Sequence, residues 1–286
     1  MRSLAFRLLD VFAIEGKPFT GNPLCVFEDA RDLSDAEMLS LARQFHLSET
    51  TFVFPARNAE ETARVRIFTP HFELPFAGHP TLGTAHVVRS SRGGDELVLG
   101  TGAGPVEVKA TGSVWTLQAP QPPQTRSPEA SRSELAAMLG LETDAVGDDP
   151  LWVSTGNEQL IVPLTRAEHV MRARPDMGLL RRHGLSAARG ESMAYVWARA
   201  ADGAIVARYL YSERGGLGED PATGSACANL GAWHIATRKP LPLELRVRQG
   251  DAVQRPSLLH LHVDAQKRIF VGGAVNEVGR GTFTLP

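Results

Sequence analysis

The sequence predicts an α+β protein built from two related halves. Three observations lead there: segments of β-branched or alternating residues at antiparallel spacing, helices that are few and long, and short motifs that occur twice. Pro80-Thr81-Leu82-Gly83-Thr84-Ala85 returns as Pro221-Ala222-Thr223-Gly224-Ser225-Ala226. Thr20-Gly21-Asn22 returns, in the same order and at nearly the same spacing, as Thr155-Gly156-Asn157. A duplicated half-chain would set the matching helix starts on either side of a pseudo-two-fold axis, and the active site is expected there. The length of 286 residues agrees with two domains. They are expected at 1–120, completed by a C-terminal strand at 273–286, and at 121–272.

Taken in order, Leu4 to Ala13 and Pro23 to Phe27 read as strands around a turn-prone Gly16 to Asn22 segment. Ser34-Asp35-Ala36-Glu37 is a capping box, and Met38, Leu41 and Phe45 continue it at helical spacing. Thr50 to Phe54, Ala63 to Phe68, Glu96 to Leu99, Val106 to Lys109 and Val114 to Leu117 follow as strands. The prolines at 120, 122, 123 and 128 mark a linker. A second capping box, Ser131-Arg132-Ser133-Glu134, opens a helix through Leu139. This helix precedes the second Thr-Gly-Asn, so the halves are related but not superimposable element by element. Further strands are predicted at Leu160 to Val162, Ala194 to Ala198, Ile205 to Tyr211, Leu243 to Val247, Leu258 to Val263 and Ile269 to Gly272.

Composition narrows the function classes. Hydrophobic residues make up 43% and charged residues 22%, and 30 basic against 32 acidic residues leave a net charge of −2. So balanced a chain has no field to attract nucleic acid or an anionic membrane. No apolar run approaches the ~20 residues of a membrane span, and the N-terminus lacks a signal-type block, so a cytoplasmic location is expected. Cys25 and Cys227 form no disulfide framework and lack zinc spacing. His260 and His262 share a strand face with no acidic or cysteine residue at suggestive spacing nearby, and His71, His79 and His86 fit no metal spacing. Gly100 to Gly104 and Gly215 to Gly218 lack the residues of a phosphate or dinucleotide loop and read as turns. No metal and no cofactor are expected.

The repeated motif has chemical content. Proline in a first helical turn loses no hydrogen bond, and glycine beside it lets a ligand approach unpaired amides at the positive end of the helix dipole. A carboxylate or a developing enolate would be stabilised there. The residue before proline is His79 in one copy and Asp220 in the other, which would set an imidazole opposite a carboxylate for proton transfer. Taken singly, each also reads as an ordinary N-cap or turn residue. Glu49 alone likewise reads as a solvated strand-edge glutamate.

Longer motifs resolve this. Asp10-Val11-Phe12 with Gly21-Asn22-Pro23, Ser48-Glu49-Thr50-Thr51-Phe52-Val53, Arg66-Ile67-Phe68-Thr69-Pro70, Glu73 through Gly83 and Gly218 through Ala226 stand in one order along the chain. In them the chain resembles the PhzF-like phenazine-biosynthesis isomerase family. The resemblance implies the diaminopimelate-epimerase fold, in which two pseudo-symmetric domains each wrap a curved, mostly antiparallel sheet or barrel around a central helix, with the active site in the cleft. It implies Glu49 as catalytic acid/base, His79 and Asp220 as its catalytic partners, and Ser48, Gly78, Gly224 and Ser225 as substrate-binding residues. Gly224 and Ser225 would receive the substrate carboxylate. Burial with few counter-charges would raise the Glu49 pKa enough for it to take and return a proton. The cysteine pairs of sister racemases are absent at Ala77-Gly78-His79-Pro80 and Ala222-Thr223-Gly224, which favours a glutamate-driven shift over two-thiol epimerisation.

The expected function is thus a cofactor-independent isomerase acting on a small carboxylate-bearing substrate. If the resemblance extends to substrate, that compound is trans-2,3-dihydro-3-hydroxyanthranilate. A homodimer is expected from the resemblance alone. The alternatives are a non-catalytic small-carboxylate binder and a cysteine-independent epimerase of an amino or hydroxy acid.

Overall fold

The computed structural model describes residues 1–213 and 216–285. It forms two compact units, Met1–Gln118 with Gly272–Pro286, and Ala119–Val271. The first holds strands β1 (Arg2–Ala13), β2 (Asn22–Phe27), β3 (Thr50–Phe54), β4 (Ala63–Phe68), β5 (Glu73–Leu74), β6 (Glu96–Thr101), β7 (Gly104–Thr111) and β8 (Val114–Gln118), with helices α1 (Asp35–Phe45) and α2 (Gly78–Arg92). The second holds β9 (Gln124–Arg126), β10 (Leu151–Ser154), β11 (Glu158–Pro163), β12 (Leu185–Ser186), β13 (Glu191–Arg199), β14 (Ile205–Glu213), β15 (Gly216–Asp220), β16 (Leu243–Gln249) and β17 (Ser257–Val263). Its helices are α3 (Arg132–Leu139), α4 (Ala167–Arg172), α5 (Met177–His183) and α6 (Gly224–Ala236). A last strand, β18 (Ile269–Leu285), belongs to the first unit from Gly272 onward.

In the first unit the strands close on themselves. β1 pairs β2 antiparallel, β2 pairs β3 parallel, β3 pairs β4 antiparallel and β4 pairs β6 parallel. β6, β7 and β8 then run as an antiparallel meander, β8 meets β18, and β18 returns along β1 from Arg2↔Leu285 to Ala13↔Ala274. Helix α2 packs against β1, β2, β3, β4, β6 and β8 and is buried nearly all round from His79 to Val88. An enclosed helix needs small residues as well as apolar ones. Gly83 shows why: a Cβ there would lie 2.4 Å from Leu24 Cδ2 and 2.9 Å from Val11 Cγ2. Helix α1 instead lays one face, Met38, Leu41 and Ala42, on a cluster containing Phe27, Phe52 and Phe68.

The second unit repeats the pairing. β10–β11 is antiparallel, β11–β13 parallel, β13–β14 antiparallel, β14–β16 parallel and β16–β17 antiparallel. The short β5 hangs on β4 just before α2, and β15 hangs on β14 just before α6. The duplication is therefore one of topology, and Thr-Gly-Asn marks the start of the second strand in each copy.

The Pro-x-x-Gly echo does not mark equivalent places. Pro80 is the third residue of α2, whereas Pro221 lies two residues ahead of the α6 N-cap, Thr223. Gly83 is buried inside its helix, while Gly224 opens its own. By helix register the counterparts of Gly224-Ser225 are Gly78-His79, so His79 and Asp220 are not symmetry mates. Other expectations need correction as well. The 120–128 linker contains β9, because Gln124–Arg126 pairs with β10. Of the glycines at 215–218, Gly215 lies outside the described residues, and Gly216 to Asp220 is a strand rather than a turn. Ile269 to Gly272 does not stop at Gly272 but runs on to Leu285, since β1 offers it a partner throughout. Helices α3, α4 and α5 have eight, six and seven residues, so not all the helices are long.

One turn near the motifs depends on glycine. Phe12 sits in a bulge of β1 at φ 60°, and Gly21, at φ +84°, passes so close that a Cβ would meet the Val11 carbonyl oxygen at 2.6 Å. Gly21→Ala is expected to lower stability by about 2 kcal/mol or more, read as a shift in the urea midpoint.

Candidate active site

Helix capping differs between the surface helices α1 and α3 and the two central helices. In α1 Ser34 and Glu37 form a complete capping box, as do Ser131 and Glu134 in α3. The two central helices have no side-chain cap. Ala77 has nothing to offer, and the Thr223 hydroxyl donates instead to Asp220 Oδ2 at 2.6 Å. Their first-turn N–H groups thus remain available to an anion.

In the first unit Glu49 and His79 come together, with His79 Nε2 3.5 Å from Glu49 Oε2. Glu49 precedes β3 and is half-buried, and His79 is the second residue of α2. A buried bond between Thr84 Oγ1 and Thr51 Oγ1, 2.8 Å long, ties that helix to that strand. The imidazole hydrogen-bonds the Pro23 backbone. Proline has no N–H, so the ring must be the donor. Nε2 makes no hydrogen bond among the described residues, so the donor is Nδ1 and the Nε2 lone pair faces Glu49. Burial pushes the His79 pKa down to about 3, partly offset by the Pro23 bond. Burial disfavours charging the imidazole, so His79 faces the Glu49 carboxyl as a neutral acceptor. Gly78 faces open space where a Cβ would stand. Ser48 is exposed and makes no side-chain hydrogen bond among the described residues, so the structure does not join it to the pair.

The His79 shift has a stability consequence. Its folded pKa lies below the unfolded value of about 6.5, so the unfolded chain binds the extra proton. Stability is fully present above about pH 6.5 and falls as pH drops toward 3, by at most about 5 kcal/mol. Denaturant unfolding from pH 7 to 4 is expected to show this slope, and His79→Gln should flatten it.

In the second unit Asp220 ends β15 and its carboxylate accepts from Thr223. Gln249, almost fully buried, donates from Nε2 to the Asp220 carbonyl at 2.8 Å and to Thr223 Oγ1 at 3.0 Å. Ser225, the second residue of α6, accepts from Gln159 Nε2 at 2.9 Å. Gln159 in turn accepts from Asn229 Nδ2 at 2.7 Å, and Asn229 Nδ2 also reaches the carbonyls of Val153 and Asn157. Thr155 Oγ1 donates to Asn229 Oδ1 at 2.8 Å. Asp220, Gly224 and Ser225 are therefore gathered around one helix start. Sequence reasoning missed Pro23, Gln159, Asn229 and Gln249. The repeated Thr-Gly-Asn pointed toward the first three, since Pro23 follows one copy and Thr155 and Asn157 of the other hold Asn229. Gln249 carried no such signal.

Cys25 and Cys227 are fully buried, and burial raises the pKa of both thiols, as suits packing residues. His260 and His262 lie on the outer face of β17. Among the described residues no group of three potential ligands could hold a metal, and no helix is long and apolar enough to cross a membrane.

Comparison with known proteins identifies the family. The family model described as phenazine biosynthesis-like protein matches residues 9–280. An uncharacterized isomerase of Pasteurella multocida is 36% identical over 283 residues, covering 99% of this chain and 94% of its own. The trans-2,3-dihydro-3-hydroxyanthranilate isomerase of Pseudomonas chlororaphis is 33% identical, covering 97% and 98%. A Bacillus anthracis phenazine biosynthesis protein of the PhzF family superposes with a TM-score of 0.85 at 24% identity, each chain fully covered. With a family match along nearly its whole length and isomerases among its relatives, the chain belongs to the phenazine biosynthesis-like family and is a PhzF-type isomerase.

Proposed function

We propose that this isomerase moves a proton within a small carboxylate-bearing substrate, with Glu49 as the acid/base. The observation that carries the reading is the Glu49–His79 pair at the uncapped start of α2, where a neutral imidazole lone pair faces the carboxyl at 3.5 Å. Glu49 would take a proton from a substrate carbon and return it at another position of a conjugated system. His79 would hold that proton on the carboxyl between the two steps, because accepting a hydrogen bond requires no charge on the ring. The substrate carboxylate would dock on the N–H groups and hydroxyl of Gly224 and Ser225, where the helix dipole favours an anion. Asp220, fixed by Thr223 and Gln249, would orient a polar substituent of the same molecule.

The substrate we propose is trans-2,3-dihydro-3-hydroxyanthranilate, the compound in the name of the 33% identical relative. It carries a carboxylate for the α6 start and a conjugated ring through which a proton can shift. Proton NMR of this compound with the enzyme in D₂O tests the reading. Deuterium at a new ring position is expected; an unchanged spectrum would rule the compound out. A homodimer and a cytoplasmic location are part of the same proposal.

A further inference from the structure

Resting on the reading that Ser225 receives a substrate carboxylate, we propose that Gln159 is a positioning residue. Its side-chain amide makes the Ser225 hydroxyl an acceptor on the protein side and so commits the single Ser225 proton to the ligand.

The argument follows hydrogen-bond polarity from fixed points. The carbonyls of Val153 and Asn157 can only accept, and both lie within 2.9 Å of Asn229 Nδ2, so the orientation of the Asn229 amide is settled. Its Oδ1 then faces the Thr155 hydroxyl, which donates to it. Asn229 Nδ2 also meets Gln159 Oε1 at 2.7 Å, so its two N–H groups are shared among three acceptors. Turning Gln159 over would press two NH₂ groups together, so its Nε2 must be the atom 2.9 Å from Ser225 Oγ. Gln159 also interacts with the Tyr209 hydroxyl. Gln159 and Asn229 are both essentially inaccessible to solvent, which leaves water no part in setting the pattern. A serine hydroxyl has one proton, and no group among the described residues accepts it from Ser225. The proton therefore points away from Gln159, free to join the first-turn N–H groups of α6. The hydroxyl reaches the ligand as a pre-oriented donor, with no rotation to undergo at binding.

Titration calorimetry with anthranilate, a planar amino acid bearing the required carboxylate, tests this on the full chain at pH 8 and pH 6. In Gln159→Glu the ionised carboxylate cannot donate and draws the Ser225 proton inward. At pH 8 the affinity of this variant is expected to be about tenfold to hundredfold below wild type, recovering toward pH 6 as the buried carboxyl takes up a proton and donates again. In the Ser225→Ala background the same substitution should add little at either pH. A loss independent of pH would mean that Gln159 only fills space, and a loss that persists without Ser225 would mean that charge acts directly on the ligand; either result overturns the proposal. If Gln159→Glu does not fold, Gln159→Met replaces it, and Gln159→Met/Ser225→Ala should bind no more weakly than Ser225→Ala alone. Additive losses would overturn the relay. Unchanged affinity in Ser225→Ala, or no binding by wild type, would instead remove the carboxylate-site reading, and the relay with it.

Discussion

Glu49→Gln is expected to reduce turnover of trans-2,3-dihydro-3-hydroxyanthranilate by about three orders of magnitude while leaving the thermal midpoint within a degree or two. General acid/base groups contribute roughly 10²- to 10⁴-fold, and the upper part of that range applies because one carboxyl would serve both steps of the transfer. The amide keeps the size of the side chain and can still donate to His79 Nε2, which faces it at 3.5 Å, so the fold has little reason to respond. What it cannot do is exchange a proton with carbon. Deuterium uptake from D₂O is therefore expected to vanish together with turnover. Substrate binding should survive, because the Gly224 and Ser225 end is untouched. If turnover persists within tenfold of wild type, Glu49 is not the base, and the proton-shift proposal fails at its centre.

The second large effect concerns stability. Arg208→Met is expected to cost about 3–5 kcal/mol in chemical denaturation. Arg208 meets Glu219 through two bonds of 3.0 and 2.7 Å, with side-chain exposures of only 5% and 8%. It also donates to the carbonyls of Val170 and Ala173, which closes the end of α4. Removing the guanidinium leaves a buried carboxylate and unsatisfied carbonyls at once. Taking out both charges, as in Arg208→Met/Glu219→Leu, should restore a large part of the loss, since the desolvation cost of Glu219 disappears with its charge. A single variant as stable as wild type would show that the pair is not energetically coupled to the fold. Because Glu219 neighbours Asp220, the single variant should also lower kcat/KM, and the double variant should not recover it fully.

Much of the fold was legible because it rests on local signals. Ser34 and Ser131 start helices through side-chain chemistry that needs no tertiary partner, and both capping boxes form. Strands such as Thr50–Phe54 and Ala63–Phe68 follow from alternation with one face buried. The glycine-rich Gly216–Asp220 became a strand only because β14 lies beside it, and Gln124–Arg126 only because β10 does, so neither has a signature of its own. The helix register was misread for a similar reason. Pro-x-x-Gly looks like one motif, but Gly83 is small so that Leu24 and Val11 can approach, whereas Gly224 stands where a helix must begin. Of the site, the residues expected to touch substrate were readable from motif order. The buried amides of Gln159, Asn229 and Gln249 were not, since their roles depend on partners between about 26 and 76 positions away in sequence.

The path of β18 also orders events during synthesis. The second unit is one unbroken stretch, Ala119–Val271, whereas the first closes only when Gly272–Pro286 returns to it. Until then β1 has no partner along the edge that later carries Arg2↔Leu285 to Ala13↔Ala274. A chain without that segment displays an open edge in the unit that holds Glu49 and His79, and such edges invite pairing with other chains. The half of the molecule translated first is the half finished last, so a truncated or stalled product would carry an exposed strand edge rather than an active enzyme.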